Sequence, residues 1–364
     1  MRFYMPTMVY QETDAVKKHA KELAALGKKA FLITGKHSSK VNGSLADVEE
    51  ALKQERRSFV LFDRVEENPS VETVTEAAEL GKQEGVDFVI GIGGGSPMDA
   101  AKAIALLIAN PKETAKCLYE PKELKALPLA EVPTTAGTGS ETTPYAVLTY
   151  HEEHTKRSIS YRIFADLALV DAKYLSCAGP GILVSTAVDA LAHLLESYLN
   201  KGANSFNEML SERGMSLWAR AKEALRSGAP GPQEYQYLME ASTIAGMAIS
   251  HTGTSLPHGM SYYLTYEKGV PHGVAVGLFQ YAYMEAFEDR EKVKRALSLL
   301  GFEKEEDFRE FLTELIGEYS ITEAELDRYA KGMMSNVKKL ANFPYVMTEE
   351  KMRQMFALSL KTEA

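Results

Sequence analysis

Short apolar runs alternate with amphipathic segments through the first half of the chain. Runs rich in β-branched and aromatic residues, such as KKAFLITG (28–35) and DFVIGIGGG (87–95), are typical of buried strands. The segment SVETVTEAAELGKQEG (70–85) has helical periodicity, with Ser70 as a candidate N-cap and Gly85 as a candidate stop. Further strands are predicted at 56–63, 129–135, 145–150, 156–160 and 167–172, and a further helix at 96–110. The alternation predicts a mostly parallel sheet with helices on its faces, an α/β fold.

The pattern changes near Gly179-Pro180. From there to the end, apolar positions recur with helical spacing, as in STAVDALAHLLESYLN, and no strand is predicted. At 364 residues the chain is also long for a single domain. We therefore predict two domains, an α/β domain over residues 1–178 and an all-helical domain over residues 179–364.

Composition narrows the classes of partner. The net charge of −9 argues against nucleic acid and against a membrane surface, because both favour a basic face. No window approaches the ~20 apolar residues of a membrane span, and the first ten residues lack the features of a signal peptide. A cytoplasmic location is expected, with both cysteines, Cys117 and Cys177, reduced. Because neither has a CxxC partner, a cysteine-based zinc site is excluded.

A glycine turn separates a predicted strand from a predicted helix at residues 93–96 (GGGS). Glycines allow the backbone to approach a phosphate closely, and the N–H groups at a helix N-terminus favour an anion. The run is not a GxGxxG fingerprint, whose third glycine would fall at Ser96, and it lacks the GK[ST] of a P-loop. A tight turn without a ligand is the alternative. Three consecutive glycines after an apolar strand favour a nucleotide phosphate.

A second loop of small residues, EVPTTAGTGSETT (131–143), also follows a predicted strand. Its hydroxyl groups suit phosphate, ribose or carboxamide, and they belong to Thr134, Thr135, Thr138, Ser140 and Thr143. Taken alone, the segment would be interpreted as a Thr/Gly-rich loop. Two such loops at the carboxyl ends of strands change that interpretation, because open α/β sheets bind ligands there.

The helical half carries a possible metal constellation. Asp189 and His193 are spaced i, i+4 on a predicted helix and share a face, and His258 and His272 lie in the same half of the chain. One carboxylate and three imidazoles could bind a divalent metal of the zinc or iron type. A hydrogen-bonded Asp–His couple without metal is the alternative for the first pair. His251, seven residues before His258, is a fifth candidate, but a structural role is the preferred interpretation. The remaining histidines are predicted to be exposed: His19, His37, His151 and His154.

Together, these motifs resemble the iron-containing (group III) alcohol dehydrogenase family. GGGSPMDAAKAIA, PTTAGTGSE, VDALAHLLESY and HGMSYYLTYEKGVPHG occur in the family's order, and the gaps of four and fourteen residues between ligand candidates match its metal motif. The similarity is to the NADPH-dependent butanol and 1,3-propanediol dehydrogenase-like members in particular. It implies a Rossmann-like dinucleotide-binding domain followed by a helical metal-binding and catalytic domain.

The resemblance also implies roles for individual residues. A single Fe²⁺, or Zn²⁺ in some members, would be held by Asp189, His193, His258 and His272. The cofactor pyrophosphate would rest on Gly94, Gly95 and Ser96. The rest of the nicotinamide site would be lined by Asn68, Asp99, Thr134, Thr135, Thr138, Thr143 and Lys156.

The sequence departs from the family pattern at two positions. Many members carry a histidine four residues after the third metal ligand, where this chain has Tyr262, so proton relay through that position is in doubt. NAD-preferring members tend to have an aspartate after the first strand, where this chain has Gly35. Glycine removes repulsion against a 2′-phosphate, and the following side chains could bind it: Lys36, Ser38, Ser39 or Lys40. We therefore predict NADP(H) rather than NAD(H).

The resemblance implies a metal-dependent alcohol dehydrogenase or aldehyde reductase acting on a small or linear primary alcohol or aldehyde. Ile249 and Tyr262 would lie near the substrate carbon, and the enzyme is expected to be a homodimer. One alternative is a non-redox sugar-phosphate cyclase of the dehydroquinate synthase kind, which needs several basic residues; the region 240–280 supplies only Lys268. A metal-dependent hydrolase is a second alternative, and it would leave the two nucleotide-type loops unexplained.

Overall fold

The computed structural model describes residues 3–151 and 155–363. It divides into two compact units, one spanning Tyr4–Ala178 and one that comprises Phe3 and the residues from Gly179 onward.

The strands of the first unit alternate with its helices. The strands are β1 (Met8–Gln11), β2 (Lys29–Thr34), β3 (Ser58–Phe62), β4 (Phe88–Gly93), β5 (Leu129–Pro133), β6 (Val147–Tyr150), β7 (Thr155–Ser158) and β8 (Leu167–Val170). The helices are α1 (Ala15–Lys18), α2 (Ala20–Ala24), α3 (Ser38–Val41), α4 (Ser44–Gln54), α5 (Val71–Glu84) and α6 (Gly95–Ala109). Six strands form one fully parallel sheet in the order β1-β8-β5-β4-β2-β3.

The central strands are apolar throughout because both of their faces are covered. Along β2, Phe31 and Ile33 point into a core with α5 and α6, whereas Ala30 and Leu32 point into a core with α1, α2 and α4. This follows from the two-residue period of a strand. The sheet is therefore a middle layer between two layers of helices, as the sequence pattern predicts.

The sequence signals at Ser70 and Gly85 predict the two ends of α5 correctly. The Ser70 hydroxyl accepts a hydrogen bond from the Thr73 N–H at 3.1 Å, and Gly85 ends the helix in the left-handed conformation at φ 63°. Two other features of this unit differ from the sequence prediction. The edge strand β1 was not predicted, and β6 and β7 form a separate antiparallel hairpin outside the main sheet.

The histidines predicted to be exposed give a mixed result. His37 and His151 are exposed. His19 is not: its ring stacks on Tyr10 at 3.5 Å and its Nε2 lies 2.9 Å from a Glu12 carboxylate oxygen. The prediction was wrong there because the ring is recruited by an aromatic neighbour from β1. His154 lies outside the described residues.

The second unit is almost entirely helical. Its helices are α7 (Pro180–Tyr198), α8 (Ser205–Ser227), α9 (Pro232–Thr252), α10 (Leu256–Lys268), α11 (His272–Gly277), α12 (Gln280–Glu285), α13 (Arg290–Leu300), α14 (Glu305–Ile316), α15 (Glu323–Met333), α16 (Val337–Asn342) and α17 (Glu349–Ser359). Two three-residue strands that the sequence pattern did not predict, β9 (Ser320–Thr322) and β10 (Lys361–Glu363), pair in parallel. They are too short to give a period-two signal.

Helix α7 is the centre of this unit and packs against α8, α9 and α11. Nearly all of its side chains from Ala187 to Tyr198 are buried, and the buried Trp218 indole N–H donates to the Ala187 carbonyl at 2.7 Å. A helix buried on all sides is apolar on all sides, so each polar residue within it needs a specific partner.

Among the described helices, none has the length and apolar character needed to cross a membrane.

Candidate metal centre and nucleotide-binding loops

Three helices bring the four predicted metal ligands together. Asp189 and His193 lie one turn apart on α7, His258 lies in the first turn of α10, and His272 is the first residue of α11. The Asp189 Oδ1 atom lies 3.4 Å from His258 Nε2, 3.7 Å from His272 Nε2 and 3.8 Å from His193 Nε2. We call these four residues the metal centre.

The metal centre is buried on one side and open on the other. Asp189, His193 and His258 are only 4%, 6% and 4% exposed, whereas the His272 side chain is 37% exposed. Tyr262, one turn beyond His258, is 41% exposed, and its ring stacks near His272 with centroids 6.4 Å apart. A small molecule would therefore reach the centre on the side of His272 and Tyr262.

The surroundings of the Asp189 carboxylate suit a bound cation. Its Oδ1 atom is buried, and within the described residues it accepts no hydrogen bond, although three imidazole Nε2 atoms surround it. A buried carboxylate oxygen without a partner is costly unless a cation is bound. Burial would raise the pKa of Asp189, but the nearby histidines outweigh burial and hold it well below its ordinary value. One carboxylate and three imidazoles form a donor set that suits Fe²⁺ or Zn²⁺.

Glu196, which the sequence analysis missed, holds His258 in place. Its Oε1 atom lies 2.6 Å from His258 Nδ1, and because an ionised carboxylate can only accept, that nitrogen carries the proton. The other ring nitrogen of His258, Nε2, hydrogen-bonds to His193 Nε2 at 2.9 Å. Glu196 also accepts from the Ser255 N–H at 2.6 Å and from the Gln280 amide at 3.1 Å. Such a carboxylate behind an imidazole orients a metal-ligating histidine.

The charges around Glu196 and His258 act on each other. Burial would raise the pKa of Glu196, but His258 and then Lys339 lower it below its ordinary value. Burial would lower the pKa of His258, but Glu196 and Asp189 raise it overall. Each carboxylate and the histidines beside it therefore stabilise one another's charged forms.

His258 and His272 are each followed by a glycine, and we call His258-Gly259 and His272-Gly273 the HG pairs. Both glycines have a steric role. A Cβ atom at Gly273 would lie 1.7 Å from the Ser185 carbonyl oxygen, so only glycine lets the start of α11 approach α7 so closely. A Cβ at Gly259 would lie 2.5 Å from the Met333 methyl group. The HG pairs thus combine a ligand with the close packing that positions it.

In the α/β unit, the two predicted loops lie side by side at the carboxyl ends of β4 and β5. The glycine turn (residues 93–96) leads from β4 into α6, and Gly93 has φ 149°, a value that favours glycine. Cβ atoms at Gly94 and Gly95 would come within 3.1 Å of Thr135 Oγ1 and 2.7 Å of Thr138 Cγ2. The hydroxyl loop (residues 134–143) is therefore packed directly against the turn.

A buried lysine on α6 stabilises the hydroxyl loop through hydrogen bonds. Lys102 on α6 is fully buried and donates to the Ser140 carbonyl and hydroxyl, both at 2.7 Å, and to the Tyr145 carbonyl at 3.0 Å. Asp99, predicted to line the cofactor site, accepts from the Ser140 hydroxyl at 2.6 Å and from the Val147 N–H at 2.8 Å. In the structure both carboxylate oxygens of Asp99 accept hydrogen bonds that hold the hydroxyl loop and the start of β6 in place.

The other predicted cofactor residues divide into two groups. Asn68 donates its backbone N–H to the Ser96 hydroxyl at 3.1 Å and accepts from Lys156 at 2.8 Å, so these three lie together beside the glycine turn. Thr134 and Thr143 are buried, with the Thr134 N–H donating to Gly93. A second group follows β2 and comprises the half-buried Gly35 and the exposed Lys36 and Ser38.

The sheet order places both groups at a topological switch point. β3 lies on one side of β2 and β4 on the other, so successive connections leave the sheet centre in opposite directions. Ligands of open α/β sheets bind in the crevice that this reversal creates at the carboxyl ends of the strands. The turns after β2 and β4 border that crevice, and the dipole of the fifteen-residue α6 favours a phosphate there.

Two family models together match most of the chain. A family model described as iron-containing alcohol dehydrogenase matches residues 6–172, and one described as the C-terminal part of the Fe-containing alcohol dehydrogenase family matches residues 183–358. NADPH-dependent butanol dehydrogenase of Clostridium saccharobutylicum is 30% identical over 317 residues, covering 84% of this chain and 80% of the relative. The chain belongs to the iron-containing alcohol dehydrogenase family.

Other members of this family show how far the likeness extends. Choline dehydrogenase of Bacillus subtilis is 34% identical over 292 residues, covering 78% of this chain and 72% of that relative. The crystal structure of an iron-containing alcohol dehydrogenase from Thermotoga maritima is 37% identical with a TM-score of 0.91, over 99% of each chain. The protein is thus an oxidoreductase with the Rossmann-like and helical architecture of iron-containing alcohol dehydrogenases.

Two polar residues of this dehydrogenase escaped the sequence analysis for different reasons. Glu196 lies seven residues after Asp189, the spacing that continues the Asp189–His193 face of α7, so the i, i+4, i+7 pattern could have revealed it. Lys339 lies on α16, far along the chain from any ligand, and no sequence spacing connects it to the metal centre.

Proposed function

We propose that this iron-containing alcohol dehydrogenase interconverts small primary alcohols and aldehydes, using NADP(H) and one divalent metal, Fe²⁺ or Zn²⁺, held by Asp189, His193, His258 and His272. The observation that carries the proposal is the buried Asp189 Oδ1 atom, which accepts no hydrogen bond in the described part of the chain and is surrounded by three imidazole nitrogens at 3.4 to 3.8 Å. The glycine turn and hydroxyl loop support a nucleotide cofactor in the other unit.

The bound groups would supply the reactive chemistry, the metal as a Lewis acid toward the substrate oxygen and the nicotinamide as hydride carrier. The chain's own residues provide position and charge. Asp189 supplies one negative charge to the donor set, and Glu196 keeps the proton of His258 on Nδ1. The surroundings of Asp189, His193 and His258 exclude water, which strengthens the electrostatic interactions among them.

Tyr262 stands where the family resemblance leads us to expect a histidine. Its partial exposure and its stacking near His272 support a place beside the substrate. Ile249, expected near the substrate carbon, is a buried residue of α9. The relatives are named for substrates as different as butanol and choline, so a small linear alcohol is a proposal for this chain.

The preference for NADP(H) rests on the turn after β2. Gly35 contributes no carboxylate, and Lys36 and Ser38 are exposed there. Two of the four side chains considered for the 2′-phosphate have other partners: the Ser39 hydroxyl accepts from Thr34 at 2.6 Å, and Lys40 pairs with Asp63. Lys36 and Ser38 therefore remain the proposed phosphate contacts, and the butanol dehydrogenase relative is named as NADPH-dependent.

A metal-reconstitution assay tests the activity. The purified protein is stripped of metal, reloaded with Fe²⁺, Zn²⁺ or no metal, and oxidation of NADPH and NADH is followed with butyraldehyde. We expect turnover only in the metal-loaded samples and faster turnover with NADPH. Metal-independent turnover, or none with any small aldehyde, would contradict the proposed activity.

The variant Gly35→Asp tests the cofactor preference separately. A Cβ at this position meets only the Val65 carbonyl oxygen, at 3.3 Å, so the carboxylate fits with a small local shift. Repulsion of the 2′-phosphate should lower the kcat/KM ratio of NADPH to NADH by about 10-fold or more, which corresponds to about 1.4 kcal/mol. An unchanged ratio of the two kcat/KM values would refute the argument from Gly35 and would not affect the proposed dehydrogenase activity.

Homodimer formation and a cytoplasmic location remain predictions from the sequence. Light scattering on the purified protein tests the first, and fractionation of cells that express it tests the second.

A further inference from the structure

Glu131, on β5, is a buried carboxyl group to which the proposed function gives no role. Its side chain is 0% exposed, and within the described residues neither of its oxygens has a hydrogen-bond partner. It lies on the face of β5 that α6 covers, because its neighbours Ala130 and Val132 belong to the core on the other face of the sheet. A buried carboxylate without a hydrogen bond is costly, so this position favours the neutral acid.

Lys102 is the cation beside Glu131, and its donors are already used. Its Nζ atom lies 3.8 Å from Glu131 Oε1, within the range of an ion pair but too far for a hydrogen bond. An ammonium group has three donors, and those of Lys102 go to the Ser140 carbonyl, the Ser140 hydroxyl and the Tyr145 carbonyl. A hydrogen bond to Glu131 would therefore take one donor away from Ser140 or Tyr145.

Charged groups face Glu131 from two elements. Lys102 and Asp99 lie on α6, and Glu141 lies in the hydroxyl loop. The residues opposite Glu131 on β4 and β8 are a glycine and an alanine, so the neighbouring strands add no charge there. Burial raises the pKa of Glu131 well above its ordinary value; Lys102 lowers this pKa, whereas Asp99 and Glu141 raise it. These groups together favour the protonated form of Glu131.

Asp99 differs from Glu131, although both carboxyl groups lie near Lys102. The oxygens of Asp99 accept from the Ser140 hydroxyl at 2.6 Å and from the Val147 N–H at 2.8 Å. Burial also raises the pKa of Asp99, and Lys102 and these hydrogen bonds oppose that rise. Asp99 thus has the donors that an ionised carboxylate needs, whereas the described residues give Glu131 none. Of the two, Glu131 is the one suited to carry a proton.

The contacts of Lys102 reach the glycine turn in two steps. Lys102 holds Ser140, whose N–H donates to Thr138 Oγ1 at 3.3 Å. Thr138 in turn packs against the glycine turn, since a Cβ at Gly95 would lie 2.7 Å from Thr138 Cγ2. Loss of a hydrogen bond at Ser140 would therefore change the packing beside the proposed phosphate site.

We propose that Glu131 and Lys102 are positioning residues for the cofactor: protonated Glu131 leaves the Lys102 ammonium on the hydroxyl loop, and ionised Glu131 draws it away and weakens cofactor binding. The proton of Glu131 goes to water, and the ammonium exchanges one hydrogen bond for another. Both residues act on the cofactor through Ser140 and Thr138. The inference rests on the proposed nucleotide site and adds an alkaline limit to it.

The pH dependence of cofactor binding tests this pair. Dissociation constants of NADPH and NADH are measured by fluorescence titration from about pH 7 to about pH 10, above the pKa of a phosphate monoester. We expect both constants to rise by about 10-fold toward alkaline pH in the wild type, the usual effect of one lost hydrogen bond to a charged group. NADH has no 2′-phosphate, so a rise shared by both cofactors does not come from a phosphate contact such as Lys36.

Three variants separate the pair from other titrating groups. Glu131→Gln keeps the shape of the protonated acid and cannot ionise, so the alkaline rise should disappear. Lys102→Met should raise the dissociation constant of NADPH by about 10-fold or more already at neutral pH, because the loop loses its hydrogen bonds to the ammonium. Glu79→Gln removes an exposed carboxylate paired with Lys82 and should show the wild-type pH profile.

Unfolding provides a second readout that needs no cofactor. The pKa of Glu131 is higher in the folded protein than in the unfolded chain, so its contribution to stability is present at acid pH and is lost as the pH rises toward the folded-state pKa. The free energy of unfolding of the wild type should therefore fall relative to that of Glu131→Gln as the pH is raised. Parallel pH profiles of the two proteins would contradict a protonated Glu131 and overturn the proposal.

Two binding results would also overturn it: dissociation constants that do not change with pH in the wild type, or an alkaline rise that Glu131→Gln retains. Either result, with tight cofactor binding at neutral pH, would leave the proposed function in place. If the wild type bound neither cofactor at any pH, the proposed function would fail and this inference with it. Should Lys102→Met fold poorly, as judged by its thermal transition, Ser140→Ala replaces it.

Discussion

The proposed metal centre and the proposed nucleotide-binding loops would bind their ligands with different kinds of group. The metal centre uses long side chains from α7, α10 and α11, and its buried charges are held by further side chains such as Glu196. The nucleotide-binding loops use backbone and small side chains, with Gly94 and Gly95 packed against threonines of the hydroxyl loop.

This difference determines what each site tolerates. In the metal centre, loss of a side chain removes a ligand or leaves a buried charge without its partner, both of which are costly. In the loops, addition of a single methyl group displaces the backbone that would approach a phosphate. The first site should therefore be most sensitive to truncation and the second to enlargement.

The largest effect is expected from truncation of a metal ligand. His258→Ala should reduce the metal-to-protein ratio after purification nearly to zero, because only three of the four proposed ligands remain. His251→Ala is the matched control: its ring stacks on Phe3 and bonds the Met247 carbonyl, away from the ligands. Metal content measured by inductively coupled plasma mass spectrometry checks both variants, and normal metal retention by His258→Ala would exclude it as a ligand.

Replacing a glycine by a larger residue should also destabilise the helical unit where α11 contacts α7 closely. Gly273→Ala should lower the free energy of unfolding by about 3 kcal/mol or more, because its Cβ would overlap the Ser185 carbonyl oxygen. Gly181→Ala, on the exposed start of α7 with no neighbour within 4 Å, should change it by about 0.5 kcal/mol or less. Chemical denaturation of the two variants provides the comparison. Equal stabilities would show that α11 can move away from α7 at little cost.

Glu196→Gln should weaken the metal centre without removing a ligand. The amide can still accept from His258 Nδ1, but its NH₂ group then faces donors such as the Ser255 N–H. We expect the metal dissociation constant to rise by about 10- to 100-fold in a chelator competition with Zn²⁺. The absorption spectrum of the Co²⁺-loaded protein should also change, which a purely structural role would not cause. Glu223→Gln, in an exposed pair with Arg226, is the control, and identical affinities would refute the orienting role of Glu196.

The smallest of these effects is expected in the nucleotide-binding loops. Gly95→Ala should raise the dissociation constant of NADPH by about 10-fold, because the new methyl group would press on Thr138 Cγ2. Thr138→Ser removes that methyl, so the double variant should bind NADPH more tightly than Gly95→Ala. Fluorescence titration measures binding, and metal content should stay unchanged because all four proposed ligands lie on other elements. An unaltered NADPH affinity in Gly95→Ala would argue against a phosphate at the glycine turn.

The sequence predicted features that depend on neighbours along the chain and missed those that depend on distant partners. The caps of α5 at Ser70 and Gly85 are local, and both predictions were confirmed. Strand β1 was missed because its partner is β8, more than a hundred residues later, and a four-residue edge strand has little periodicity of its own. The segments of β6 and β7 have β propensity, but propensity does not reveal that they pair with each other outside the main sheet.

The sequence by itself determined the family, the alternation of strands and helices, and the residue types of both sites, because motifs, periodicity and spacing are local properties. Only the tertiary structure showed that Glu196 holds His258, that Gly273 fits against Ser185, and that Lys339 lies beside Tyr262. Those relations depend on how helices pack, since packing brings together side chains that sequence separation keeps apart. The HG pairs show both levels at once: the histidine can be recognised from its spacing, and the glycine only from the helix it contacts.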